Sequence, residues 1–153
     1  MEQRQMKRVQ DSYTTQVQIL TQANLNGYHR LFGGQLMSWM DIVAAVAARR
    51  HAGRNVTTVR VEDLEFKAPA RANDTLMLTA YVSYVGNTSM EVCVNVYLEQ
   101  LTGERELINR ARFIMVALDE KENPAPVPGL ILETEQQKRE WAEAEARRIA
   151  RKK

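Results

Sequence analysis

The chain has 153 residues, 44% of them hydrophobic and 26% charged, the balance of one ordinary globular domain. Its net charge of +2 gives no electrostatic case for a nucleic-acid partner. The single cysteine, Cys93, excludes an internal disulfide and a cysteine-rich zinc site. The longest apolar run, Leu36 to Ala48, is broken by Ser38 and Asp41 and is too short to span a bilayer. The polar stretch from Met1 to Ser12 carries no core of signal-peptide length. A cytoplasmic protein without membrane or nucleic-acid partners is expected.

In chain order, weak alternation with Tyr13, Thr15, Val17 and Ile19 on one face predicts a first strand over Val9 to Leu20. Thr21 to Phe32 reads as a long loop. Gly33-Gly34 then opens a helix, Gln35 to His51, rich in alanine and apolar almost all round, so buried on most sides. Arg49, Arg50 and His51 read as cations at its C-terminus, and Gly53 as its stop. Period-two patterning follows up to Leu118, with Val59 and Val61 in one phase, Leu64 and Phe66 in the other, and a bulge expected near Glu62-Asp63. Leu76 to Tyr84 and Met90 to Leu98 form the next strands, joined by Gly86-Asn87, and Thr102-Gly103 turns the chain into Leu107 to Leu118. Asp119 to Gly129 holds three of the four prolines and reads as an irregular connection. Thr134 with Gln137 resembles a capping box for a highly charged helix, Glu135 to Lys153, expected to be solvated. The fold class is α+β, with residues 1–132 as the domain and 133–153 as a helical tail. One flat sheet cannot cover a helix this apolar, so the sheet curls around it and a second copy helps to bury it.

Asp41 stands out, a carboxylate in the second turn of that apolar helix. It needs a partner, a proton or a wet cleft, and suits either a structural pairing or general-base or nucleophilic work. Gly33 and Gly34 let a ligand approach first-turn amides that lack intrahelical acceptors and are able to hold an oxyanion, or they form an ordinary tight turn. Asn26 is a turn former or a group that orients water or a carbonyl. His29 and His51 have no companion ligands, so no metal site is expected. Cys93, in mid-strand, reads as a packing residue. Gly86-Asn87-Thr88-Ser89 offers amides and hydroxyls at a turn.

The run Asn26-Gly27-Tyr28-His29-Arg30-Leu31-Phe32-Gly33-Gly34-Gln35-Leu36-Met37-Ser38-Trp39-Met40-Asp41 resembles the signature of hot-dog-fold acyl-CoA thioesterases, in the group with the bacterial YciA-type enzymes and brain acyl-CoA hydrolase. Val56 to Val61, Phe66-Lys67-Ala68-Pro69, Gly86 to Val92, Val116 to Glu120 and Val127-Pro128 extend the likeness in order. It implies a curved antiparallel sheet of about five strands around one helix, in a homodimer often assembled as a trimer of dimers. It also implies hydrolysis of acyl-CoA to free acid and CoA, with Asn26 and Asp41 catalytic. Gly33, Gly34, Phe66, Lys67, Gly86, Asn87, Thr88 and Ser89 are then expected to contact substrate. No cofactor is expected, CoA being part of substrate and product. His29 departs from the pattern, since relatives often have glycine there. The alternatives are a non-catalytic acyl-CoA-binding module and a hydro-lyase using His29. Gly34 and Asp41 lie seven residues apart, about 10 Å along a helix at roughly 1.5 Å per residue, which favours a site shared between two chains.

Overall fold

Gly33 to Ala52 form one helix, capped at its end by Gly53 with φ of 65°, whose amide donates to the Arg49 carbonyl at 2.8 Å. The computed structural model describes residues 3–152. The elements run β1 (Met6–Arg8), α1 (Val9–Ser12), β2 (Thr14–Ile19), a short 3-10 turn (Gln22–Asn24) and α2 (Gly33–Ala52). They continue with β3 (Asn55–Phe66), β4 (Thr75–Val85), β5 (Ser89–Glu99), β6 (Arg105–Leu118), β7 (Gly129–Ile131) and α3 (Glu135–Arg151). Among the described residues no helix is long and apolar enough to cross a membrane.

Strands β2, β4, β5, β6 and β3 form one antiparallel sheet in that order. Its inner face, with Leu78, Ala80, Val82, Val92, Val94, Phe113 and Met115 buried, meets the Leu36, Met40, Val43, Ala44 and Ala47 side of α2. The alanines let the sheet come close. Met37 and Ile42 lie on the uncovered side of α2, 37% and 52% exposed. The outer edge of β3 has no partner strand among the described residues.

Several expectations are corrected. The predicted first strand is split: Val9–Ser12 turns as α1, and only Thr14–Ile19 extends. The reason lies in Ser12, whose hydroxyl donates to the Val9 carbonyl and accepts from the Val82 amide, so it closes the turn. The apolar face of β2 points outward, with Val17 and Ile19 exposed and Thr14 buried. Val59 falls in a register shift between Thr58 and Arg60 and is exposed, so it does not share the half-buried face of Val61. A second shift, between Glu62 and Glu65, lies where the bulge was expected, and Asp63 there takes φ of 57°. The irregular connection ends in a strand: β7 pairs parallel with β1, an element the polar N-terminus does not advertise.

His51 is not a surface cation. It is fully buried, and its Nε2–H donates to the Pro128 carbonyl at 2.8 Å. Burial holds its pKa below the ordinary 6.5, so the folded protein keeps it neutral. The unfolded chain binds the proton more readily, so stability contributed by neutral His51 is present above pH 6.5 and is lost as pH falls below it. Thermal melts between pH 7.5 and 5 should show a falling midpoint, and His51→Gln should flatten that slope.

The charged helix α3 is solvated on one face only. Ala144 is fully buried, and α3 lies on the outer face of the sheet. Thr134 caps it, accepting from the Gln137 amide at 3.1 Å, while the Gln137 side chain accepts from the Glu133 amide. Glu91, 2% exposed, pairs with Arg147 at 2.7 Å and Arg112 at 3.2 Å, and Arg151 pairs with Glu62 at 3.0 Å. Trp141 packs on Tyr84, and Arg148 lies over the same ring. Cys93 is buried beneath this layer, as its packing role requires. Glu91→Ala would leave Arg147 without a carboxylate partner and Arg112 with Asp63 alone, so chemical denaturation should show a loss of about 3 kcal/mol.

Candidate active site

The loop before α2 is built around Asn26. Its side-chain carbonyl accepts from the Tyr28 amide at 2.8 Å and the Arg30 amide at 3.3 Å, and its own amide donates to the Arg30 carbonyl at 2.7 Å. The Asn26 side-chain NH2 makes no hydrogen bond among the described residues and remains a donor. His29 sits inside this turn with φ of 60°, a left-handed conformation that favours glycine, and its ring is exposed. Thus the position where the family pattern expects glycine has the matching backbone conformation.

The loop closes onto α2 through Leu31, whose amide donates to the Ala70 carbonyl at 2.7 Å, and Phe32, whose amide donates to the Asn24 carbonyl at 2.8 Å. The Phe32 carbonyl then accepts from Gln35 and Leu36, which leaves the amides of Gly33 and Gly34 unpaired among the described residues. The two glycines are packed by aromatic rings. A Cβ on Gly34 would lie 2.7 Å from the Phe32 ring, and one on Gly33 would lie 3.4 Å from the Phe66 ring.

A cavity of about 320 Å³ opens beside this turn, lined by Asn26, Arg30, Gly33, Phe66 and Lys67 over an apolar floor that includes Leu36 and Ile108. Asn26, Gly33, Phe66 and Lys67, all predicted from the sequence, therefore meet in one place. Gly34 lies next to them on the turn.

Asp41 lies further along α2, half-buried rather than sealed in the core. Its partner is neither an arginine nor a loop amide: the Thr58 hydroxyl donates to Oδ1 at 2.6 Å. Oδ2 takes no hydrogen bond among the described residues. Thr58 is not among the site residues expected from the sequence, although it lies in the Val56 to Val61 stretch that carries the likeness and shares the β3 phase of the half-buried Val56. The Gly86, Asn87, Thr88 and Ser89 turn is remote within one chain. Phe66 pairs with Asn109 and Ser89 with Val116, so the two lie about 24 Å apart along β6 at roughly 3.4 Å per residue. Arg4 donates to the Gly86 carbonyl, and a Cβ there would collide with the Arg148 guanidinium. No cluster of potential metal ligands occurs among the described residues.

A model of the thioesterase superfamily matches residues 28–104. Over 113 residues the chain is 42% identical to the acyl-CoA thioester hydrolase YkhA of Bacillus subtilis, covering 73% of this chain and 66% of that protein. It spans only 23% of mouse acyl-coenzyme A thioesterase 11, at 33% identity over 88% of this chain. Among solved structures, an apo-hexameric acyl-CoA thioesterase superposes with a TM-score of 0.92 at 38% identity, covering 97% of this chain and 96% of that one. The acyl-CoA hydrolase of Staphylococcus aureus, solved in complex with butyryl coenzyme A and coenzyme A, gives 0.90 at 32% identity, covering 96% and 90%. That enzyme has also been solved with single alanine replacements of an aspartate, an asparagine and a threonine. With a hot-dog sheet wrapped on one helix and a superfamily match across half its length, this chain belongs to the thioesterase superfamily.

Proposed function

We propose that the chain is an acyl-CoA thioester hydrolase that works in sites shared between two copies. The observation that carries this reading is the pair of free amides at Gly33 and Gly34, set about 10 Å along α2 from the Asp41–Thr58 pair. One thioester carbon can hardly meet both in one chain. Two copies joined by the open edges of β3 would run those strands antiparallel, bringing the start of one β3 beside the end of the other. The exposed Met37, Ile42 and Val59 would then be covered. The replaced staphylococcal residues are separated by the same sequence intervals as Asn26, Asp41 and Thr58, which supports this grouping.

The carbonyl oxygen of the thioester would accept from the α2 first-turn amides of one copy, where positive helix-end charge stabilises an oxyanion. The Asn26 NH2 would hold the carbonyl or the attacking water. Asp41 of the other copy has Oδ2 free. It acts as the base that takes a proton from water as the water oxygen bonds to the carbonyl carbon, or it attacks to form a mixed anhydride that water cleaves. In either route the carbon–sulfur bond breaks, and the CoA thiolate leaves and takes up the proton. Thr58 positions the carboxylate through Oδ1. Arg30 and Lys67 at the cavity mouth, with the Gly86 to Ser89 turn of the second copy brought to the same end, suit the phosphates of the CoA arm. A trimer of dimers fits the hexameric relatives.

Thiol release from acyl-CoA should fall by roughly 10²–10⁴-fold in kcat for Asp41→Asn, with CoA affinity retained. Thr58→Val should lose about tenfold, as expected of a positioning group. Wild-type turnover by Asp41→Ala on every acyl-CoA tested would overturn the assignment.

A further inference from the structure

Asn109 is fully buried, and neither the nitrogen nor the oxygen of its carboxamide has a hydrogen-bond partner. Its place on β6 fixes where it points. From Asn109 to Ala117 the strand is regular, with Ala111, Phe113, Met115 and Ala117 buried against α2 and Arg110 and Arg112 on the opposite face. Period-two alternation puts Asn109 on the α2 side. It belongs to a row across the inner sheet, with Phe66 on one neighbouring strand, Val96 on the other and Leu78 beyond. Its nearest row-mates, Phe66, Val96 and Leu78, are apolar, and the next polar member is Gln16 on the edge strand β2.

Such a group is costly to bury unpaired, and leucine would fill the space without that cost. Two of its neighbours line the cavity beside the α2 turn: Ile108, adjacent in sequence, and Phe66, opposite it on β3. Asn109 therefore lies immediately behind the cavity wall. Phe66, opposite Asn109 on β3, is 57% exposed and packs on Gly33, so it is the side chain whose displacement would uncover the carboxamide to the cavity. The cations Arg30 and Lys67 stand at the mouth, both exposed and unpaired among the described residues. They hold the anionic end of a CoA ester outward, and the acyl chain is what reaches inward. A carboxamide with both a donor and an acceptor free complements a group that also does both.

We propose that Asn109 is a specificity-determining residue that binds a hydroxyl group on the acyl chain, so that hydroxyacyl-CoA esters are preferred over saturated esters of equal length. This rests on the thioesterase reading above. The test compares kcat/KM for 3-hydroxybutyryl-CoA and butyryl-CoA, using the intact oligomer and the variants Asn109→Leu and Asn109→Ala. The wild type should favour the hydroxyacyl ester by at least about tenfold. Both variants should lose that preference through the hydroxyacyl ester alone, with butyryl-CoA turnover retained. Asn109→Leu should melt no lower than the wild type, which separates the effect from misfolding, and Asn109→Ala supplies the comparison if the larger side chain does not fold. Equal wild-type turnover of the two esters, or equal losses on both in the variants, overturns the role of Asn109 and leaves the thioesterase reading standing. Absence of thiol release from these two esters overturns the role of Asn109, and absence from short, medium and long acyl-CoAs alike overturns the thioesterase reading as well.

Discussion

The structure depends on a helix with more apolar surface than one sheet can cover. The five-stranded sheet takes the Leu36, Met40, Val43, Ala44 and Ala47 side of α2, and small alanines allow the close approach that gives the sheet its curl. Covering that side leaves Met37 and Ile42 facing out, beside the half-buried Asp41. The same burial therefore creates both a core and a surface for another copy. Under the proposed reading, the Asp41 carboxylate on that remaining side sits where a second chain would arrive, which links the proposed chemistry to assembly.

The two ends of α2 do different work. At its start, two glycine amides have no backbone partner among the described residues, and the proposed mechanism uses them to hold the thioester oxygen. At its end, His51 is sealed against the Pro128 carbonyl, which ties the helix to the segment leading into β7. One terminus keeps unpaired backbone donors, and the other is locked to the scaffold that holds it in place.

The outer face of the sheet carries a polar layer instead of solvent. Glu91 pairs with Arg112 and Arg147 under α3, Asp63 supplies the second carboxylate to Arg112, and Tyr81 donates to Glu140 at 2.8 Å beside them. Burial, foremost, keeps the Tyr81 phenol protonated and able to donate. This layer fixes α3 and stiffens β4, β5 and β6, the strands that carry Asn109 and support the cavity. Rigid backing of this kind lets a site built partly on a loop keep its geometry.

Local patterning in the sequence was enough to determine the long elements. Strict alternation marked β4, β5 and β6, the alanine-rich run marked α2, and Gly53 marked its end, because each depends on residues within a few positions. Asn26, Arg30 and Gly33 share one cavity because the loop and the helix turn are contiguous, whereas Phe66 and Lys67 reach it from the end of β3. Tertiary structure decided the rest. Val9–Ser12 became a turn held by the Val82 amide donating to the Ser12 hydroxyl, β1 found β7 across most of the chain, and charged α3 proved to pack one face on the sheet. Thr58 beside Asp41, buried neutral His51 and orphaned Asn109 each owe their meaning to a neighbour distant in sequence, and no local periodicity encodes such a neighbour.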